Sequence, residues 1–214
     1  MIVLALDTCL GACSVALLAD GRPLARRSEA MEKGHQERLG GLVQEVMAEA
    51  GVGFDKIERI VVATGPGSFT GLRVGLSFAK GLGLALGAPV VGVGALEALA
   101  VSADGNGVTI AAVDAKRGQV WMQAFRSGSA ITPPEAPNWN DAPVRAAALA
   151  QREAVTVVGS AAQWVVSGLV GATAVALEAP DVVALAQLGA GRDPADSLAT
   201  PVYLRAPDAT PKAA

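Results

Sequence analysis

Ile2-Val-Leu-Ala-Leu-Asp7-Thr-Cys-Leu-Gly11-Ala-Cys-Ser-Val-Ala-Leu-Leu-Ala-Asp20-Gly21 decides how the rest of the chain is read. An apolar run ends in Asp7-Thr8, a small-residue turn passes through Gly11, and a second run, Ser14 to Leu18, closes on Asp-Gly. Two such runs around a short polar turn define a hairpin, and Asp-Gly is its strongest local signal. A third strand is expected over Pro23 to Ala30. The spacing of Leu39, Leu42, Val43, Val46, Met47 and Ala50 predicts a helix from His35 to Ala50, terminated by Gly51. A strand over Ile57 to Ala63, the turn from Thr64 to Phe69 and a helix opening near Thr70 follow.

The second half restarts in the same way. Val108 to Val113 is an apolar strand ending in Asp114, Lys116-Arg117-Gly118 turns the chain, and Val120 to Phe125 returns. Asp7 and Asp114 therefore occupy equivalent places, as a duplicated domain requires. Ser127 to Pro143 reads as irregular. Beyond it Val144 to Arg152, Val155 to Val158, Ala161 to Ser167, Thr173 to Leu177 and Asp181 to Gly189 alternate helix and strand patterns. The turn-rich Asp104-Gly105-Asn106-Gly107 divides two mixed α/β domains, 1–104 and 105–214.

With 51% hydrophobic and 17% charged residues and a mean hydropathy of +0.41, disorder, collagen and coiled coil are excluded. Aromatics are 4%, so the core is built from Ala, Val, Leu and Gly. A net charge of −3 argues against a chain that grips nucleic acid alone, since phosphate binding needs a concentrated basic field. Cys9 and Cys13 are too close to frame a small disulfide scaffold, and no leader-like segment stands before Ile2, so a reduced, cytoplasmic setting is expected. The apolar stretch Gly81 to Ala103 has the length of a membrane span, but Pro89, Glu97 and several glycines break it into a helix end, a short strand and a new helix.

Candidate chemistry is sparse. Gly65-Pro-Gly-Ser-Phe-Thr-Gly71-Leu-Arg-Val-Gly75 joins a strand to a helix, and reads either as an anion cradle or as a tight turn needing glycine torsions. In the helix that follows, Gly71, Gly75, Ala79, Gly83 and Gly87 recur every four residues beside a bulkier stripe of Val74, Phe78 and Leu82. Three interior glycines cost roughly 3 kcal/mol of helix propensity, so close backbone approach must compensate, either within the chain or against a second subunit. His35 is the only histidine, which removes two-imidazole metal centres and weakens a Ser-His-Asp or Cys-His hydrolase. Asp7 and Asp114 are the best carboxylates for magnesium or a phosphate-linked water; capping the turns that follow them is the competing role.

Taken together, Ile2-Val-Leu-Ala-Leu-Asp-Thr with Cys13-Ser-Val-Ala-Leu, Gly34-His-Gln-Glu, the Gly65 to Gly75 segment, Ala79-Lys-Gly-Leu, Asp114-Ala-Lys-Arg-Gly and Pro201-Val-Tyr-Leu-Arg resemble the TsaB family, also called YeaZ. The match is dense over about the first 126 residues and returns at the Pro-x-Tyr-Leu-Arg end. The resemblance implies a duplicated α/β fold of the actin, Hsp70 and sugar-kinase (ASKHA) type. It also implies a role in bacterial synthesis of N6-threonylcarbamoyladenosine at adenosine 37 of tRNAs reading codons that begin with A. In the family, TsaB is the non-catalytic paralogue that pairs with the transferase TsaD in an assembly also using the ATPase TsaE; ATP and a metal belong to that assembly and the metal to the partner.

Catalytic relatives carry a stretch like Pro-Val-Val-Gly-Val-Asn-His-Leu-Glu-Gly-His, whose histidines hold the metal. Pro89-Val-Val-Gly-Val-Gly-Ala-Leu-Glu-Ala-Leu aligns with it and places Ala95 and Leu99 at those positions. No catalytic residue and no metal ligand are thus assigned to this chain. Asp7, Thr8 and Asp114 mark a vestigial nucleotide cleft, and since the second turn is Ala115-Lys-Arg-Gly rather than a Gly- and Thr-rich loop, weak or absent ATP binding is expected. Subunit pairing through the first two helices assigns the interface to Leu39, Leu42, Val43, Val46, Gly71, Val74, Gly75, Phe78, Ala79 and Leu82. A homodimer through the same face is compatible with this, tRNA is met only through the complex, and no membrane is involved. The competing class is an enzyme, an ATP-dependent phosphotransferase or a metallopeptidase, which would need intact phosphate turns or ligands at positions 95 and 99.

Overall fold

The computed structural model describes residues 1–103, 107–150 and 153–205. The first sheet contains β1 (Ile2–Asp7), β2 (Ala12–Ala19), β3 (Arg22–Ala30), β4 (Arg59–Ala63) and β5 (Val90–Val93) in the order β3-β2-β1-β4-β5. The second contains β6 (Val108–Asp114), β7 (Val120–Arg126), β8 (Ser129–Ala130), β9 (Val155–Val158) and β10 (Thr173–Val175) in the order β10-β9-β6-β7-β8. Reversing the second order makes the two sheets identical in plan. β1 pairs antiparallel with β2 and parallel with β4, as β6 does with β7 and β9. The repeat predicted from two strand-Asp-turn-strand segments is thus a repeat of whole sheets.

Among the described residues there are six α-helices: α1 (His35–Ala50), α2 (Phe69–Leu86), α3 (Ala95–Val101), α4 (Ala142–Ala150), α5 (Ala162–Val165) and α6 (Val182–Ala190). α1 has the predicted bounds and ends where Gly51 takes the left-handed conformation, φ 63°. α2 opens one residue before the expected Thr70, because the Ser68 hydroxyl caps it by accepting from Gly71 N. The strand expected from Ile57 begins at Arg59, after a 3₁₀ turn over Phe54–Lys56, and α4 starts at Ala142, inside the stretch read as irregular. The apolar Gly81 to Ala103 stretch divides into the end of α2, β5 and α3. No helix among the described residues is long and apolar enough to cross a membrane. Asp104 to Asn106 at the expected joint, Arg152 and the tail from Ala206 lie outside the described residues.

Val61 and Val62 are neighbours on β4 and face opposite sides of the sheet. A Cβ on Gly189 of α6 would lie 2.4 Å from Val61, and one on Gly75 of α2 would lie 3.7 Å from Val62, so the two helices cover opposite faces. A sheet buried on both faces needs continuous apolar strands, which is why Val3 to Leu6 and Ala12 to Leu18 do not alternate. This corrects a division at 104/105 in one respect. α6 comes from the second half of the sequence but packs on the first sheet, with Val182, Leu185 and Ala186 in its core.

β6 does alternate in its partners. Val108, Ile110 and Ala112 join the second-lobe core, while Ala111 and Val113 join the first. The lobes therefore meet through a continuous apolar contact rather than a solvated hinge.

Candidate functional site

The β1–β2 turn is held beneath the start of α2. Thr8 Oγ1 donates to Gly71 O at 2.7 Å, and Ser68 N donates to Cys9 O at 2.8 Å. A Cβ at Gly71 would stand 2.1 Å from Thr8 O and one at Gly75 would stand 2.5 Å from Thr8 Oγ1, far inside contact distance. The four-residue glycine stripe is therefore the face that α2 presses onto its own chain. Asp7 Oδ1 accepts from Cys9 N at 2.8 Å, while its Oδ2 is buried with no hydrogen-bond partner.

Burial raises the Asp7 carboxyl from its ordinary 3.8 to about 6. Because the folded value is the higher, ionisation opposes folding: the penalty is absent below the unfolded pKa near 4 and grows as pH rises through about 6. Asp7→Asn is expected to stabilise the chain by about 2–3 kcal/mol at pH 8 and by almost nothing at pH 4. Denaturant titrations at the two pH values check this, and an equal gain at both would contradict it. The same burial pushes the Cys13 thiol to about 11 and the Cys9 thiol well above its usual range, so neither is a thiolate nucleophile at neutral pH.

The equivalent turn of the second lobe is more open and differently charged. Asp114 Oδ1 accepts from Lys116 N at 2.7 Å, repeating the Asp7–Cys9 pattern, and its Oδ2 lies 3.2 Å from Lys116 Nζ. Both aspartates therefore cap the turns that follow them. Lys116, Arg117 and Gly118 all have positive φ, at 58°, 54° and 75°. Left-handed backbone at two non-glycine residues is strained by roughly 1–2 kcal/mol each.

Between the lobes lies a cleft of about 500 Å³ lined by Thr64, Gly65, Gly92, Glu97, Gln123 and Arg192 among others. Glu97 forms a close ion pair with Arg192, whose Nη1 also donates to Gly92 O at 2.9 Å. Ala95 and Leu99, at the positions where the resemblance implies histidines in catalytic relatives, are fully buried in the first core. Neither side chain has a lone pair, so these positions do not fit a metal. Among the described residues no group of three His, Cys, Asp or Glu side chains could hold one. His35 is buried and its Nε2 has no partner.

The ten residues expected at a subunit interface divide sharply. Leu39, Leu42, Val43 and Val46 are at most 1% exposed, and Gly71, Gly75 and Ala79 are also buried. These seven are corrected to core: the apolar stripe of α1 covers β2, and the glycine stripe of α2 covers the β1–β2 turn. Val74, Phe78 and Leu82 remain half-buried on the flank of α2, with Phe78 beside Gly40 of α1. The outermost line of α2 is Phe69, Arg73, Ser77, Gly81 and Leu84; Leu84 is 88% exposed, and a Cβ on Gly81 would meet nothing. Sequence reasoning missed Leu84, although a leucine directly after Gly83 lies off the buried stripe.

A second missed feature is the segment after Pro201. Val202 N donates to Thr64 O at 2.8 Å, Tyr203 packs against Phe69 with centroids 5.5 Å apart, and Arg205 donates to Gln119 Oε1 and to the carbonyls of Ala115 and Lys116. It straps the first lobe to the β6–β7 turn. The Pro-x-Tyr-Leu-Arg motif was the available signal, but nothing local says what it touches.

A duplicated ASKHA-type fold with an aspartate-capped turn in each lobe and an exposed helix line defines the class, and comparison supplies the family. A family model described as TsaD, tRNA N6-adenosine threonylcarbamoyltransferase, matches residues 28–193, more than three quarters of the chain, and the chain belongs to that family. Within it the relatives include TsaB and YeaZ proteins as well as a tRNA N6-adenosine threonylcarbamoyltransferase of Thermosipho africanus, 38% identical over 109 residues, 44% of this chain and 33% of that protein. The tRNA threonylcarbamoyladenosine biosynthesis protein TsaB of Escherichia coli is 38% identical over 129 residues, 59% of this chain and 55% of that protein. The chain thus spans about half the length of the curated relatives it matches. A Pseudomonas aeruginosa crystal structure described as similar to the peptidase YeaZ superposes with a TM-score of 0.80 at 30% identity, covering 95% of this chain and 99% of that one. The ROK hexokinase of Thermus thermophilus, at 13% identity and a TM-score of 0.54 over 89% of this chain and 98% of that one, shares the fold.

Proposed function

We propose that this chain is the non-catalytic dimerisation and activating subunit of the complex that transfers a threonylcarbamoyl group to N6 of adenosine 37 in tRNAs reading codons that begin with A. The observation that carries the reading is the pair Ala95 and Leu99, buried and without donor atoms where catalytic relatives hold a metal. The first lobe keeps the enzyme's plan while its chemistry belongs to a TsaD partner, with ATP hydrolysed by a TsaE-type ATPase of the same cytoplasmic assembly. The C-terminal part of the outer line of α2, from Ser77 to Leu84, with Val74, Phe78 and Leu82 beside it, is the face offered to TsaD, and the same face can meet a second copy of the chain.

Nucleotide binding by this chain alone is weak or absent. The Thr8 hydroxyl is committed to Gly71 O, the first turn is buried beneath α2, and the second closes on its own aspartate. These commitments also disfavour a phosphotransferase. Reconstitution of tRNA modification from purified components tests the proposal: leaving out this chain is expected to abolish or strongly reduce transfer, and full transfer without it would overturn the reading.

A further inference from the structure

The strap at Tyr203–Arg205 does more than join the lobes, because it sets the exposed Phe69, Arg73 and Tyr203 in line with the half-buried Arg205. The Arg73 guanidinium lies 3.7 Å from the Phe69 ring centroid, and its Nε donates to Tyr203 Oη at 3.3 Å. Phe69 and Tyr203 are each 44% exposed. Two residues on, Arg205 grips the β6–β7 turn, where Lys116 and Arg117 stand in left-handed backbone.

The electrostatics of this strip differ from those of the rest of an acidic chain. Arg26, Arg27, Arg38, Arg126, Arg145 and Arg192 are each paired with a carboxylate. Among the described residues, Arg73 and Arg205 are instead held by neutral groups, a ring and a phenol for one and an amide and two carbonyls for the other, as Arg59 is by three carbonyls at the end of α6. Asp114, paired with Lys116, is the carboxylate that these contacts bring to the strip. Fixing guanidinium groups by neutral partners leaves their charge available to an external anion. Exposed rings beside them offer stacking surfaces, which an unpaired nucleic-acid strand uses and a simple anion does not.

We propose that the strip Phe69–Arg73–Tyr203–Arg205–Lys116 binds an unpaired segment of RNA, so that this subunit touches the tRNA directly while its partner carries out the chemistry. This rests on the reading above that a tRNA is the substrate of the complex. It sharpens the expectation that tRNA is met only through the complex by giving part of that contact to this chain.

The test uses the complex of the full chain with its TsaD partner and a labelled substrate tRNA, titrated at several salt concentrations. The double variant Arg73→Gln/Arg205→Gln is expected to bind about tenfold more weakly and to lower the slope of log affinity against log salt by roughly 1 to 2. Melting and co-elution with TsaD are expected to stay unchanged. Arg73→Lys/Arg205→Lys is expected to keep most of the slope. Unchanged affinity and slope in a folded, paired glutamine variant would overturn the proposal, as would a lysine variant as weak as the glutamine one.

Should the glutamine variant fail to fold or pair, photo-crosslinking of 4-thiouridine tRNA to the unmodified chain decides. Adducts on the peptides of Phe69 or Tyr203 support the proposal and their absence overturns it. Transfer that proceeds fully without this chain would instead defeat the subunit reading, whatever the crosslinks show.

Discussion

Gly71→Ala is expected to destabilise the chain by about 3 kcal/mol, lowering the melting temperature by roughly 6–12 °C for a chain of this size. The added methyl would lie 2.1 Å from Thr8 O. That oxygen is main chain in the β1–β2 turn and has no rotamer to escape into. The alternative is to lift α2 from the sheet, stretching the Thr8 Oγ1 to Gly71 O hydrogen bond and opening contacts around Leu72 and Leu76. Alanine improves helix propensity by about 0.8–1 kcal/mol, so the steric term must exceed that gain for the sign to hold. Gly81→Ala provides the internal control. It is the same substitution nearly three turns along, exposed, with nothing within 4 Å, and it is expected to stabilise by about 0.5–1 kcal/mol. Thermal or denaturant melts of both variants check the pair; equal effects would show that the glycine stripe is not a contact face.

Leu84→Glu is expected to leave the melting temperature of the free chain within the scatter of surface substitutions, about ±0.5 kcal/mol, while weakening association with TsaD about 30-fold or more. A leucine 88% exposed on a helix makes little contribution to its own fold. If that leucine is seated in a partner, a carboxylate in its place is buried without a counter-charge. Size-exclusion co-elution and a titration of the two purified subunits provide the measurement, with melting as the folding control. Undiminished pairing by a folded variant would remove the C-terminal part of the outer line of α2 from the interface and with it the proposed mode of activation.

The two predictions turn on one distinction that the amino-acid pattern could not make. Gly71, Gly75, Ala79 and Gly83 at four-residue spacing announce close approach, but the spacing is identical whether the face looks inward or outward. Seven of the ten residues assigned to a partner proved to be core for this reason. The apolar face of α1 obeys the same logic: a stripe of Leu39, Leu42, Val43 and Val46 satisfies its own sheet first, since burying it within the chain requires no association entropy.

What could be read from the chain alone was what neighbouring residues decide: both hairpins with their terminal aspartates, α1 from His35 to its left-handed Gly51, the breaking of the apolar Gly81 to Ala103 stretch, and hence the duplicated plan and the family. Turn chemistry, capping and hydrophobic period act over a few residues, so they are written locally. The tertiary structure decided which lobe α6 completes, which way the glycines face, that burial holds Asp7 near pH 6, and that Tyr203 and Arg205 meet Phe69, Arg73 and Gln119. Those contacts join residues up to 134 positions apart, and they exist only because two sheets pack through a shared core that brings their edges within reach of one short strap.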